Sequence, residues 1–193
     1  MSVIATSETR LRPEAPASGE PFDVTKFIRN SIKVDHAGEF CAIAIYSAQI
    51  IVSRVLYRDF VPVLRHILGH ERDHMRRFER LRGRFKARRC RIFPLWYVGG
   101  LILGTGTALL GRNGIRLCTY AVEDTVNRHL NEQISVMRIH VPDVAVELAE
   151  IQIQELEHQH FGEDGLRRGG AWRIVERIVR LATETVIVVS MRI

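Results

Sequence analysis

After about residue 25, apolar side chains recur at steps of three and four along most of the chain, the period of helices rather than strands. From about Lys26 to Arg54, one face carries Ile32, His36, Glu39, Ile43, Tyr46 and Ile50. From about Asp59 to Arg82 the face is Leu64, Ile67, Glu71, His74, Phe78 and Leu81. A third such helix, about Gly114 to His140, aligns Thr119, Glu123, Val126, Leu130 and Met137. After Pro142, suited to a helix's first turn, Val144, Leu148, Ile151, Glu155 and His158 follow on one face. A last helix, about Trp172 to Val189, shows Val175, Ile178, Val179, Ala182 and Val186, and would close the bundle or meet a partner. Residues 1–25 have no sustained period and carry Pro13, Pro16 and Pro21, so they are expected to form a loose tail. Residues 26–193 are expected to form one all-α domain.

Besides His36, four carboxylates and two imidazoles interrupt these apolar stripes. A buried carboxylate is costly unless it is paired, protonated or metal-bound, so their positions need a cause. Glu71 and His74 lie three positions apart, and so do Glu155 and His158; each pair occupies one helix face. Glu39 precedes Glu71 by 32 residues, and Glu123 precedes Glu155 by the same 32. Gln49-Ile50 and Gln133-Ile134 each follow the lone glutamate by ten residues. The chain is therefore written as two similar halves. One Glu-x-x-His tetrad could be a chance surface pair, but two at matched offsets from two further glutamates form the ligand set of a carboxylate-bridged di-iron or di-manganese centre in a four-helix bundle. Hard carboxylates with only two imidazoles and no thiolate favour iron or manganese over structural zinc. His129, near the edge of its stripe, would either orient a carboxylate or substrate from outside the ligand set or be exposed.

With 193 residues and 46% hydrophobic composition, the chain can bury one core. Cys41, Cys90 and Cys118 are odd in number and far apart, which fits a reducing compartment, and without a Cys-x-x-Cys pair electrons must come from outside. The net charge of +6 is concentrated between Arg76 and Arg91. This run could be a solvated basic face or serve nucleic acid, but the uncharged stretch from Ile92 to Gly111 follows directly. A polybasic strip beside apolar and aromatic residues suits an anionic bilayer, at about 1 kcal/mol per basic residue, so a membrane surface rather than nucleic acid is the expected partner. Trp96, Tyr97, Leu101 and Leu103 are the expected membrane contacts. The stretch is long enough to cross a bilayer, but a single crossing would put Glu39 and Glu71 on the opposite side from Glu123 and Glu155. An interfacial helix keeps them together; the competing reading is a buried interhelical connection or an oligomer contact. The tail lacks an apolar signal core, and Glu8, Glu14 and Glu20 make it a poor transit peptide, with a cleaved prefix as the alternative.

Several stretches together resemble the 5-demethoxyubiquinone hydroxylase family, ferritin-like di-iron monooxygenases of ubiquinone biosynthesis. They are Val34-Asp35-His36-Ala37-Gly38-Glu39, Glu71-Arg72-Asp73-His74, Pro94-Leu95-Trp96 leading to Gly106-Thr107-Ala108-Leu109-Leu110-Gly111, Cys118-Thr119 with Ala121-Val122-Glu123, and Glu155-Leu156-Glu157-His158. The resemblance implies a ferritin-like four-helix bundle with a membrane-interfacial segment at 92–111 and an additional C-terminal helix. It implies an O2-dependent enzyme that hydroxylates the ring of a polyprenyl benzoquinone or quinol in the penultimate step to ubiquinone. It implies two iron ions held by Glu39, Glu71, His74, Glu123, Glu155 and His158, with Glu71 and Glu155 bridging, and NADH as electron source through the quinone. It also implies a peripheral location on the matrix face of the mitochondrial inner membrane or the cytoplasmic face of a bacterial inner membrane, and a lipid-binding accessory protein as a mitochondrial partner. A homodimer through the apolar segment or last helix is a further expectation. The sequence departs from the family at Phe40-Cys41, where many members have Tyr-Gly, at Leu130 after His129, where many have tyrosine, and at Met191, where glutamate is frequent. The rival functions are iron storage or peroxide scavenging on the same ligands, and a non-catalytic scaffold.

Overall fold

The computed structural model describes residues 22–193, so the expected tail lies outside the described residues except for its last four positions. Helix α1 (Val24–Leu56) starts where the Asp23 carboxylate accepts from the Lys26 amide at 3.0 Å, a side-chain cap on an orphan donor. A 3-10 turn (Arg58–Phe60) leads into α2 (Val61–Phe85), which ends at Lys86 in a left-handed conformation (φ 52°). Then come α3 (Phe93–Leu109), α4 (Arg112–His140), α5 (Pro142–Glu163) and α6 (Trp172–Arg192). Proline sits in the first turn of α2, α3 and α5, where its missing N–H costs no helical bond. The chain is all-α, and its helices fall within a few residues of those the periodicity predicts.

The α1–α2 hairpin and the α4–α5 hairpin form the four-helix bundle. Helix α3 crosses between them and lies along α1, while α6 covers the groove between α1 and α4. The two halves superpose in sequence at a shift of 84 positions, which carries Glu39 onto Glu123 and Glu71 onto Glu155. The core follows the same rule. Of three apolar clusters, one contains Tyr46, Ile50, Leu64 and Ile67, a second contains their counterparts Leu130, Ile134, Leu148 and Ile151, and a small third one joins Ile45, Cys118 and Val179. Each of the first two closes one end of the bundle, with the polar residues between them.

Among the described residues, α1 is the one helix long and apolar enough to cross a membrane, yet it carries Glu39 and is packed by α2, α3 and α6. The uncharged α3 is docked by its glycines. A Cβ at Gly104 would stand 2.3 Å from the Ile45 carbonyl oxygen, and one at Gly100 would stand 2.5 Å from that of Cys41. Backbone therefore rests on backbone, as expected where small residues let helices approach closely. The opposite face of α3 exposes Leu95, Val98, Ile102 and Leu109. The segment is thus an interhelical connection on one side and an apolar surface on the other.

The arginine run is less free than its sequence indicates. Arg77 reaches Glu150 and Arg80 reaches Glu147, both at 3.0 Å, and Arg84 meets Asp143. These acids recur at helical spacing on α5 and face α2, so they turn much of the expected basic strip into an ion-pair seam. Lys86, Arg88 and Arg91 remain exposed without an acidic partner among the described residues, just ahead of α3.

Candidate metal centre

Each hairpin presents one lone glutamate and one Glu-x-x-His to the bundle axis, because residues three apart on a helix point the same way. The structure brings all six together in two overlapping groups. Glu39, Glu71, His74 and Glu155 have donor atoms within 4.8 Å of one another, and so do Glu71, Glu123, Glu155 and His158. Glu71 and Glu155 belong to both. All six side chains are buried, none exposed by more than 8%.

Both imidazoles turn Nδ1 inward. That of His74 lies 3.0 Å from Glu155 and 3.8 Å from Glu39. That of His158 lies 3.0 Å from Glu155 and 3.2 Å from Glu71. The outer nitrogens have their own partners: Nε2 of His74 is 2.7 Å from Gln154 Oε1, and Nε2 of His158 is 3.0 Å from His70 Nδ1. A carboxamide oxygen can only accept, so Gln154 holds the proton of His74 on Nε2 and leaves Nδ1 for a cation. Gln154 and His70 are counterparts under the 84-residue shift, each directly preceding a Glu-x-x-His glutamate.

Without cations this cluster is electrostatically strained. Burial pushes the Glu39 and Glu123 carboxyls well above the usual range, and the charges of Glu71 and Glu155 add to it. Burial alone would also raise Glu155, but the hydrogen bond from His158 and the nearby His74 imidazole hold it below the usual range. Against its own desolvation, contacts with Glu155 and Glu71 lift His158 to about 11. Glu71 Oε1 and His74 Nδ1 are buried without an aligned hydrogen-bond partner, although each lies near an opposite charge. Four carboxylates, two inward nitrogens and orphaned donor atoms fit two hard divalent cations, with Glu71 and Glu155 common to both donor groups.

Tyr46 donates to Glu123 Oε1 at 2.5 Å, burying its phenol against the carboxylate of the opposite hairpin. Its counterpart under the internal shift is Leu130, which is buried in apolar packing. Glu123 therefore has a phenol partner where the symmetry-related position opposite Glu39 has only a hydrocarbon. Tyr46→Phe is expected to weaken metal retention by about 10–100-fold, the usual effect of losing an outer hydrogen bond to a ligand, with the helix content unchanged. Chelator competition measures it, and equal retention by the variant would remove Tyr46 from the centre.

His129 stands outside the cluster, half-buried, with Nε2 3.3 Å from Glu184 on α6. His36 is buried but turned to Glu79 at 2.8 Å and stacked on Phe93. The periodicity places Tyr46 on the apolar face of α1 without indicating its bond to Glu123, and it does not single out His70 or Gln154, whose signal is their position just before each Glu-x-x-His. Above the carboxylates lies a cavity of about 440 Å³ walled by α1, α3, α4 and α6. Gly38, Cys41, Leu103, Val126, Ile178 and Val186 line it, and Glu39, Glu71, Glu123 and Glu155 form its polar floor. Trp96 also borders it, with its indole donating to Ser190 at 3.0 Å. Trp96, Tyr97, Leu101 and Leu103 are each half-buried; the exposed apolar positions of α3 alternate with them. Phe40 stacks on Phe93 at 3.9 Å.

The family described as "Ubiquinone biosynthesis protein COQ7" matches residues 26–190. The mitochondrial NADPH-dependent 3-demethoxyubiquinone 3-hydroxylase of Mus musculus is 36% identical over 167 residues, covering 83% of this chain and 76% of that protein. The 3-demethoxyubiquinol 3-hydroxylase of Rhodospirillum rubrum is 33% identical over 189 residues, with 97% and 85% covered. The mitochondrial 5-demethoxyubiquinone hydroxylase of Saccharomyces cerevisiae is 37% identical over 108 residues, with 56% and 46% covered.

Proposed function

The chain belongs to the ubiquinone biosynthesis COQ7 family, and we propose on that premise how its centre serves the family reaction. It is a hydroxylase of a demethoxyubiquinone-type ring in ubiquinone biosynthesis. Its six inward residues would hold two iron ions, Glu71 and Glu155 belonging to both donor groups. The observation that carries this reading is the pair of overlapping ligand groups opening onto an apolar cavity. When bound, the iron pair supplies O2 activation and the redox chemistry of ring hydroxylation. The chain supplies the rest. Gln154 and His70 orient the two imidazoles, Tyr46 orients Glu123, and the apolar wall from Leu103, Val126, Ile178 and Val186 excludes water from the reacting ring.

A polyprenyl tail would leave between α3 and α6, whose outer faces expose Leu95, Val98, Ile102, Ile178 and Leu181. Lys86, Arg88 and Arg91 flank the start of α3 and suit anionic headgroups. The protein therefore works from the surface of the membrane that holds its substrate, drawing the ring into the cavity. A reduced nicotinamide is the electron source, NADH or, as the mammalian relatives' names specify, NADPH.

The test is iron analysis of protein purified without oxygen, followed by addition of O2, a reduced nicotinamide and a demethoxyquinol. Two irons per chain with hydroxylated quinone is the expected result. Iron without product would favour storage or scavenging, and protein that takes up no metal would end the six-ligand reading.

A further inference from the structure

We propose that His66, His70 and Glu157 form a second, solvent-facing site for a divalent transition-metal ion, one hydrogen bond away from the buried centre. His66 and His70 lie one turn apart on α2, and Glu157 faces them from α5. One donor atom from each falls within 4.8 Å of the other two. Ligands around a cation with bonds of about 2.1 Å stand roughly 3–4 Å apart, so the exposed His66 and Glu157 side chains need only small rotations to close on it. Two imidazoles and one carboxylate, with the remaining positions open to water, suit iron(II) or zinc rather than calcium or magnesium.

The internal symmetry gives an independent argument. Under the 84-residue shift, the counterparts of His66, His70 and Glu157 are Glu150, Gln154 and Asp73. In that half a built-in cation fills the gap: Arg77 binds Asp73 at 2.9 Å and Glu150 at 3.0 Å. The counterpart of Arg77 is Phe161, which brings no charge. Glu157 has no basic partner among the described residues, and the acid at position 150 is exchanged for an imidazole at position 66. Where one half uses a guanidinium, the other offers metal donors around an unfilled position.

His70 ties the two sites together. Its Nδ1 engages His158 Nε2 at 3.0 Å, which fixes the ring and directs its Nε2 edge away from the centre. A cation on that edge puts the ring proton on Nδ1, against the Nε2 proton of His158, so the outer site fills at the expense of this hydrogen bond.

The site does not depend on the hydroxylase reading. Full-length protein carrying its iron is dialysed against Zn2+, and both metals are counted in the same sample, for the native chain and for His66→Ala and Glu157→Gln. The expected result is one zinc beyond the iron in the native chain, bound at least tenfold more weakly in each variant with iron content unchanged. Zinc that follows these substitutions in protein holding no iron would support the outer site while defeating the buried-centre reading. Zinc that only replaces iron, or that binds both variants as tightly as the native chain, overturns the proposal. Both substituted residues are exposed, and circular dichroism of each variant guards against loss of fold.

Discussion

Glu71→Ala is expected to lose the hydroxylated quinone altogether and to hold less than one iron per chain. Glu71 is one of two carboxylates common to both ligand groups, so its removal damages both metal positions at once. The loss should exceed the ~10–100-fold typical of an outer partner such as Tyr46. Stability should change far less. In metal-free protein the Glu71 charge raises Glu39 and Glu123 but also pairs with His158, so deleting it relieves one buried repulsion and removes one buried attraction, and the variant should melt close to the metal-free native chain. Elemental analysis, chromatography of the quinone and a thermal melt read the three effects. Undiminished product from Glu71→Ala would mean that the cluster is not the reaction centre and would support the scaffold reading.

Gly104→Val is expected to lower the melting temperature by about 5–10 °C or to prevent folding. The added carbon atoms would meet the Ile45 carbonyl and Cα, which are backbone and cannot rotate aside. Overpacking of this kind costs about 1–3 kcal/mol or more, and a domain of this size loses about 2–4 °C per kcal/mol. Gly106 lies two residues further along α3 with open space around it, and Gly106→Ala should be neutral or slightly stabilising through its gain in helix propensity, up to ~1 kcal/mol. The contrast isolates the docking of α3 on α1. Equal melting temperatures for the two variants would falsify that docking. Because Leu103 on α3 lines the cavity, folded Gly104→Val protein should also show a raised KM for the quinone.

The six inward residues were legible because the helix turn translates a sequence spacing directly into a shared face. The repeat of Glu39, Glu71 and His74 as Glu123, Glu155 and His158 made the signal much stronger than either tetrad alone. What depended on the register between helices was not legible. The arginines after Arg76 looked like a free basic surface until α5 placed Glu147 and Glu150 opposite them, and no local pattern sets that alignment. The position of His129 along α4 left open whether it orients a carboxylate or substrate or is exposed; α6 supplies Glu184 as its partner. Nothing local in the sequence separates Gly100 and Gly104 from the other glycines of α3; only the approach of Cys41 and Ile45 shows that these two are the contact face. The exchange of tyrosine for Leu130 became interpretable once Tyr46 was seen bonded to Glu123, since the internal symmetry places the two residues in equivalent seats.

Each ligand group draws on both hairpins: the first takes Glu155 from α5, and the second takes Glu71 from α2. During synthesis, the α1–α2 hairpin therefore emerges with acids that it cannot neutralise from its own sequence. It has no complete coordination shell to offer until α4 and α5 have followed. Uptake of the proposed metal pair would consequently be a late event that seals an assembled bundle rather than a seed around which the first helices condense. A cell short of iron would accumulate folded but empty protein, ready to be filled without new translation.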